Sequence, residues 1–403
     1  MQHQAVVIDN GTGFTKMGFA GNEEPEFIIP TCILNRDQSK PRKDYKSLED
    51  LDFYIGHEAL KKKEVDSNYE INYPMRHGLV ENWSNMELYW EQCFFNYLRC
   101  DPEENYVLLT EPPLNPPENR ESVAEIMFET FNVKGIYIAV QAVLALSAAS
   151  YKVKEVASST TGTVIDSGDG VTHVIPVVDG HVIGSAIKHV PLAGRDITKF
   201  VAEFLKQRES SIPQPQLNIS AQKIKEKFCY ISSAIGKEFL RFDQNPTKFI
   251  KPWYGEYHGK KWQCDVGYEQ FLGPELFFSP EIFSSEFTTP LPEVVDNVIQ
   301  QCPIDCRRQL YKNICLSGGS TMFKKFGQRL EKEIKTLCTN RLGKGHNLEV
   351  NVHSHSMQRF AVWFGGAVMA QLETFPRMCH TREQYEEIGP SVARHSQIFG
   401  AHL

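Results

Sequence analysis

Two short segments of the chain combine an acidic residue at the end of an apolar run with a glycine-rich turn. Asp9 is followed by Asn-Gly-Thr-Gly, and Asp166 is followed by Ser-Gly-Asp-Gly. Glycines let successive backbone N–H groups point into one concavity, which can bind an anion such as phosphate. The aspartates would repel that anion, so they are better suited to holding a divalent cation through water. The two segments therefore predict a site for phosphate and a cation.

The two segments are copies of one motif. Residues 7–15 align with residues 164–172 at an offset of 157, and six of the nine positions are identical. Two ordinary hairpins that share turn residues by chance remain the alternative. The match in register favours two related lobes, each opening with a strand, a turn and a strand, that grip a polyphosphate from both sides.

The elements around these turns alternate between strand and helix patterns. Short apolar runs at 107–110 and 313–316 predict strands, whereas apolar residues at three- and four-residue steps predict helices from about 84, 123, 140, 197, 224, 294 and 326. Ser84 and Ser220 are the candidate N-caps of two of these helices. Alternation of this kind indicates an α/β class.

The composition is that of an ordinary globular protein with two or three lobes. The 403 residues carry 43 Lys and Arg against 50 Asp and Glu, a net charge of −7, which argues against a general nucleic-acid binder. The ten cysteines form no Cys-x-x-Cys, and no leader-like segment opens the chain, so reduced thiols in the cytosol are expected. The longest apolar stretch, 136–149, is too short for a membrane span.

Eight segments, in one order along nearly the whole chain, carry a family likeness. They lie at 9–13, 108–120, 126–131, 140–144, 166–173, 193–196, 316–322 and 362–366. Through them the whole chain resembles the actin family. The resemblance implies an α/β, actin-like ATPase fold with two ribonuclease-H-like lobes around a central nucleotide cleft.

The same resemblance implies the domain boundaries. The first lobe is expected to comprise 1–149 with 361–403, and its small outer subdomain about 33–73. The second lobe is expected at 150–360, with an outer subdomain at about 193–286.

The resemblance further implies that ATP or ADP binds together with Mg²⁺. The residues expected to contact the nucleotide are Gly11, Thr12, Gly13, Phe14, Lys16, Gly168, Asp169, Gly170, Val171, Lys225, Glu226, Gly318, Gly319, Phe323 and Arg359. The two glycine turns and Lys16 would bind the phosphates. Lys225 and Glu226 would hold the ribose and adenine, and Gly318, Gly319, Phe323 and Arg359 would close over the base. Phe323 and Arg359 stand where conventional actin has Tyr and Lys, but a ring face and a cation are retained, so adenine is still expected.

Four residues are expected to serve the metal ion and the chemistry. Asp9, Gln141 and Asp166 would order the waters around Mg²⁺, and Gln141 with His173 would position the water that attacks the γ-phosphate. Taken alone, Gln141 is more often a satisfied polar group in the core, and His173 more often a structural histidine. Gly318 and Gly319 alone would be a turn before a helix.

Some polar residues have a simpler interpretation. Thr110 and Glu111 are explained as the end of a strand before prolines. The pairs Cys302 with Cys306 and His353 with His355 lack partners at zinc spacing and are interpreted as non-metal.

Two segments depart from conventional actin. Nine of the seventeen residues at 34–50 are charged, which predicts a solvated loop unsuited to inserting into a neighbouring subunit. The aromatic segment 244–262 is expected to be a loop that either faces a partner or folds on its own lobe. The loop expected at 150–161 has no clear counterpart in actin.

Stretches such as 265–275, 302–305 and 357–359 resemble one subgroup of the family, whose members belong to a complex that nucleates branched actin filaments. This implies a cytoplasmic, cytoskeletal subunit that hydrolyses ATP slowly if at all. Its implied partners are a second actin-related subunit, the other complex subunits, actin filaments and monomers, and nucleation-promoting factors, without nucleic acid or a membrane span. The alternatives are a self-polymerising actin, a two-lobed kinase or chaperone ATPase, and a nuclear chromatin-remodelling relative.

Overall fold

The computed structural model describes residues 5–36, 52–66, 68–153, 160–209 and 211–394. The strands within these ranges are β1 (Val6–Asn10), β2 (Phe14–Phe19), β3 (Phe27–Pro30), β4 (Ile33–Arg36), β5 (Phe53–Ile55), β6 (Tyr69–Asn72), β7 (Met75–Arg76), β8 (Leu79–Val80), β9 (Tyr106–Glu111), β10 (Gly135–Val140), β11 (Gly162–Ser167), β12 (Thr172–Val178), β13 (His181–Val182), β14 (Lys188–Val190), β15 (Lys251–Tyr257), β16 (Lys260–Val266), β17 (Ile314–Ser317), β18 (Val352–His353) and β19 (His380–Thr381).

The α-helices are α1 (Gly56–Val65), α2 (Trp83–Gln92), α3 (Pro117–Glu125), α4 (Gln141–Lys152), α5 (Gly194–Arg208), α6 (Leu217–Phe228), α7 (Ile235–Gln244), α8 (Pro246–Phe249), α9 (Glu269–Leu272), α10 (Leu291–Gln301), α11 (Ile304–Lys312), α12 (Phe326–Leu342), α13 (Ala361–Ala370), α14 (Phe375–Met378) and α15 (Arg382–Ile388). Helices α2 and α3 continue into π-helical turns at Cys93–Leu98 and Ile126–Thr130. The mixture of sheets and helices confirms the predicted α/β class.

The chain divides into two compact units. The first comprises 1–160, 179–184 and 360–403, and the second comprises 161–178 and 185–359. The lobe boundaries expected from the sequence stay a prediction.

The first unit is built on a six-stranded sheet in the order β19-β10-β9-β1-β2-β3. Strand β1 is antiparallel to β2 and parallel to β9, which is itself parallel to β10. All five residues of β1 are buried, because helices and neighbouring strands cover both faces.

The second unit repeats this order of strands. Strand β11 is antiparallel to β12 and parallel to β17, β17 is parallel to β18, and β14 is antiparallel to β12. The sequences β10-β9-β1-β2-β3 and β18-β17-β11-β12-β14 therefore correspond strand for strand. The two copies of the motif occupy the same position in each, at the turn between the two strands of the first hairpin.

Residues near the two ends of the sequence pack together within the first unit. Trp363 on α13 is fully buried and donates a hydrogen bond from its indole Nε1 to the carbonyl oxygen of Val7, 3.0 Å away. Helix α13 lies against α4 so closely that a Cβ at Gly365 would overlap the carbonyl of Leu144. Glycine is required there by close approach rather than by its backbone angles.

Three local expectations are wrong. Helix α2 is capped by Asn82 rather than Ser84, because the Asn82 side chain accepts a hydrogen bond from the Asn85 amide at 2.9 Å. Helix α6 begins at Leu217, so Ser220 lies inside it. The expected aromatic loop contains most of a β-hairpin, β15 paired with β16.

Two other expected loops lie only partly within the described residues. Of 34–50, residues 34–36 are described and belong to β4 rather than to a loop. Of 150–161, residues 154–159 fall outside, and 150–152 belong to α4 rather than to a loop. Within the part of the chain that the structure describes, no helix is long and apolar enough to cross a bilayer.

Candidate functional site

The first glycine turn joins β1 to β2 and is held by its own backbone and by a threonine. The Gly11 amide donates to the carbonyl of Phe14 at 3.1 Å. The Thr31 hydroxyl donates to the carbonyl of Gly11 at 2.7 Å and contacts the hydroxyl of Thr15 at 3.0 Å. The Thr12 hydroxyl accepts the Gly78 amide at 2.8 Å, which ties the turn to the β7–β8 hairpin. The turn is therefore fixed on both sides.

Asp9, near the end of β1, places a carboxylate next to this turn. Only 2% of its surface is exposed. Its Oδ2 accepts a hydrogen bond from Lys16 Nζ at 2.7 Å, and its Oδ1 accepts one from the Thr110 hydroxyl at 2.6 Å. The two residues lie on the strands on either side of β1. Lys16 on β2 lies opposite Asp9 in the β1–β2 ladder, and Thr110 is near the end of β9.

Gln141 also reaches this carboxylate. Its Nε2 lies 3.4 Å from Asp9 Oδ1 and 3.5 Å from the Thr110 hydroxyl, at the limit of hydrogen bonding. Gln141 is the first residue of α4 and is only half-buried, so it is not one of the enclosed core groups of that helix. The structure thus brings Asp9, Lys16, Gln141 and the first turn together within one unit.

The second glycine turn joins β11 to β12 and is held in a similar way. The Gly168 amide donates a hydrogen bond to the carbonyl of Val171 at 3.4 Å, as the Gly11 amide does to the carbonyl of Phe14 in the first turn. The carbonyl of Gly168 accepts from the Gly194 amide at 3.1 Å and from the Ser320 hydroxyl at 2.6 Å. The beginning of α5 and the turn after β17 therefore support this second turn.

Gly318 explains how the turn after β17 comes so near. Its φ of +88° favours glycine, and a Cβ at this position would overlap the backbone of Ser167. The Gly318 amide donates to the carbonyl of Gln358 at 2.9 Å, which places the exposed Arg359 next to the same turn. Gly319 begins a 3₁₀ turn, and the half-buried Phe323 follows shortly after it.

Lys225 supplies a buried ammonium group close to the second turn. It is 8% exposed and its Nζ donates to the carbonyl of Gly194 at 2.9 Å. Burial lowers the pKa of Lys225, while the negative charges of Asp169 and Glu226 act in the opposite direction. The Glu226 side chain is exposed and accepts from Gln222 at 3.2 Å.

His173 occupies the position in the second hairpin that Lys16 occupies in the first. It lies opposite Asp166 in the β11–β12 ladder, as Lys16 lies opposite Asp9. Its ring meets that of His189 on β14 edge to face, with centroids 4.8 Å apart. Burial, with a smaller contribution from His189, lowers the pKa of His173 to about 4. His173 is therefore neutral at pH 7, so only the first hairpin carries a cation at this position.

Both turns have the properties of a phosphate site, and Asp9 has those of an outer-sphere ligand for a cation. Each turn presents backbone amide groups and has a lysine close by, the half-buried Lys16 at the first turn and the buried Lys225 at the second. Amide and ammonium groups suit the negative charge of a polyphosphate. Among the described residues, no group of three or more His, Cys, Asp or Glu side chains could bind a metal ion directly.

Sequence reasoning missed several residues that hold the site. Thr110 was explained as a strand end, yet its hydroxyl binds Asp9. The signal was available, because the carboxyl ends of the parallel strands β1 and β9 must meet at one edge of the sheet. Ser320 and Arg195 also support the second turn, but only tertiary contacts identify them.

A family model described as actin matches residues 1–397. The chain belongs to the actin family. Membership of this family confirms the expected actin-like ATPase fold and implies nucleotide binding, generally with a divalent cation.

Three relatives belong to one subgroup of this family. Actin-related protein 3 of Acanthamoeba castellanii is 57% identical over 421 residues, covering 98% of both chains. The Dictyostelium discoideum protein of that name is 54% identical, over 98% of this chain and 97% of its own. The Drosophila melanogaster protein is also 54% identical, over 98% of both. The subgroup to which stretches such as 265–275 pointed is thus confirmed.

Proposed function

We propose that this chain is the ATP-binding subunit of the actin-related protein 2/3 complex. In this role it templates branched actin filaments together with a second actin-related subunit. The observation that carries the proposal is the end-to-end similarity to actin-related protein 3, since it covers both units and both glycine turns. Its partners are then the other complex subunits, actin filaments and monomers, and nucleation-promoting factors, within the cytoplasmic cytoskeleton.

ATP or ADP with Mg²⁺ is the proposed ligand. The amides of the two turns and Lys16 bind the phosphates, and Asp9 and Asp166 hold the cation through water. Lys225 and Glu226 hold the ribose and the adenine, and Phe323 and Arg359, together with the Gly318–Gly319 turn, close over the base. The geometry that supports this is the convergence of Lys16, Thr110 and Gln141 on the buried Asp9.

Nucleotide then acts as a conformational switch, and hydrolysis is slow or regulated. Gln141 and His173 are the residues that would position the attacking water. A neutral His173 suits this role, because an uncharged imidazole can both accept from water and donate to a phosphate oxygen.

A gentle affinity purification of the tagged chain from its own cytosol tests the assembly. We expect a stable complex that contains a second actin-related protein, identified by mass spectrometry after size-exclusion chromatography. Recovery of the chain only as a monomer, or as polymer that sediments with Mg-ATP, would favour a self-polymerising actin and overturn the proposal.

A further inference from the structure

The second glycine turn contains a charge that the first turn lacks. Asp169 stands at the position that Thr12 occupies in the first copy of the motif, 157 residues earlier. A carboxylate inside a turn that binds phosphate repels the ligand, because both groups are negative and close together. The turn therefore needs a compensating positive charge.

Arg195 supplies this charge through direct contacts. Its Nη2 lies 2.9 Å from Asp169 Oδ2, and its Nε donates to the same oxygen at 3.1 Å. The backbone amide of Arg195 also donates to the carbonyl of Asp169 at 2.8 Å. The side chain is 45% exposed, so it reaches the turn from the solvent side.

The position of Arg195 in its own helix is locally unfavourable. It is the second residue of α5, in the first turn, where the helix dipole favours acidic rather than basic side chains. The next residue, Asp196, fits that preference and accepts the Ala193 amide at 3.2 Å. A cation that opposes its helix but pairs with the turn indicates a role in the turn.

Lys225 does not replace Arg195. Its Nζ is bound to the carbonyl of Gly194, and its influence on Asp169 is electrostatic, without a direct hydrogen bond to the carboxylate among the described contacts. Arg195 is therefore the direct partner of the Asp169 carboxylate among these two cations.

We infer that Arg195 is a positioning residue for the second glycine turn. Arg195 neutralises and orients Asp169, so that the turn can accept the phosphates of a nucleotide. This inference rests on the proposed function, since it deepens the nucleotide site described above. The contribution of Arg195 to ligand affinity should therefore increase with the number of phosphates on the ligand.

The test compares five forms of this chain in the assembled complex: wild type, Arg195→Ala, Arg195→Lys, Asp169→Thr and the double variant Arg195→Ala with Asp169→Thr. Threonine is the residue that the first turn carries at the same position. Photo-cross-linking with 8-azido-ATP, resolved by mass, separates label on this chain from label on the second actin-related subunit. Competition by ATP, ADP and AMP then gives the affinity for each.

We expect Arg195→Ala to weaken ATP binding about three- to tenfold, ADP binding less and AMP binding least, because the unpaired carboxylate repels each phosphate. The double variant should recover most of the loss, and Arg195→Lys should retain most of the affinity. Asp169→Thr alone should bind ATP at least as tightly as the wild type.

Each contrary result has its own meaning. Equal loss for ATP and AMP without recovery in the double variant would make Arg195 a purely structural residue and overturn the inference. Should Arg195→Ala fail to assemble, weaker ATP binding by Asp169→Thr would overturn it instead. Failure of the wild-type chain to label at all would refute the proposed nucleotide site itself.

Discussion

Asp9 shows how single residues build the first half of the site. Its carboxylate is nearly fully buried and is satisfied by an ammonium group and a hydroxyl on different strands. Burying a charge costs several kcal/mol unless partners compensate for the lost water. The partners of Asp9 are thus as important to folding as to any ligand.

Lys16→Ala should destabilise the protein by about 2–3 kcal/mol, because it leaves a buried carboxylate without its cation. Chemical denaturation of the purified chain measures the loss. Lys199→Ala is the matched control, since Lys199 is 60% exposed and 3.7 Å from Asp196. That control should cost less than about 0.5 kcal/mol, as exposed pairs do. Equal effects of the two variants would contradict this account of Asp9.

His173 should make stability depend on pH. Its pKa is about 4 in the folded chain against 6.5 ordinarily, so the unfolded chain binds the proton first as pH falls. The free energy of unfolding should therefore decrease from about pH 6.5 downwards, with about 1–2 kcal/mol lost through this residue by pH 5. His173→Asn should lose less stability between pH 7 and pH 5 than the wild type. Parallel curves for the two proteins would show that His173 is not held neutral.

Some residues of the site could be predicted from the sequence, and others could not. The repeat predicts the turns, and its shared threonines proved to be hydrogen-bonded in both hairpins, Thr15 to Thr31 and Thr172 to the carbonyl of Leu192. Arg195 and Ser320 could not be predicted, because they reach the second turn from elements distant in sequence.

At the scale of elements, the copied motif determined the fold more than any single helix did. An in-register repeat of strand, turn and strand predicts two related units, and the two sheets indeed share five corresponding strands. Helix boundaries were less predictable, because Asn82 and Ser84 have similar capping propensity and only backbone geometry selects between them. The hairpin β15–β16 was missed because its prolines, glycines and lysines obscure the strand pattern.

Gly318 offers a test of close packing between elements. Gly318→Ala should destabilise the protein by at least about 3 kcal/mol, because positive φ strain is added to overlap with the backbone of Ser167. Gly343→Ala is the control, since its φ of +86° is similar but no atom lies within 4 Å of the added Cβ. The control should cost only about 1–2 kcal/mol, measured by denaturant unfolding. Similar losses would mean that the contact with Ser167 relaxes freely.

At the scale of the whole molecule, the hairpin β15–β16 has both an inward and an outward side. Trp253 faces Phe228 on α6, with ring centroids 6.1 Å apart, whereas Tyr254 is 66% exposed. The hairpin is thus anchored on its own unit while presenting an aromatic side chain to solvent.

Assembly into the complex should protect residues 251–266 from hydrogen–deuterium exchange, since exposed tyrosine favours interfaces. Exchange is measured by mass spectrometry on the free chain and on the purified complex. Tyr254→Ser should weaken assembly without lowering the stability of the free chain, because the side chain is mostly in solvent. Unchanged protection of the hairpin would leave it as a surface of its own unit alone.

The bond between Trp363 and Val7 also has a consequence for synthesis. The first unit cannot be completed until α13 has left the ribosome, yet the second unit, about 200 residues, is translated in between. Val7 and Trp363 are 356 residues apart, so at roughly 5–20 residues per second the apolar face of β1 waits on the order of 20–70 seconds for its cover. During that interval the nascent chain exposes an apolar surface, so we expect newly made chains to be shielded by chaperones until the last helices arrive.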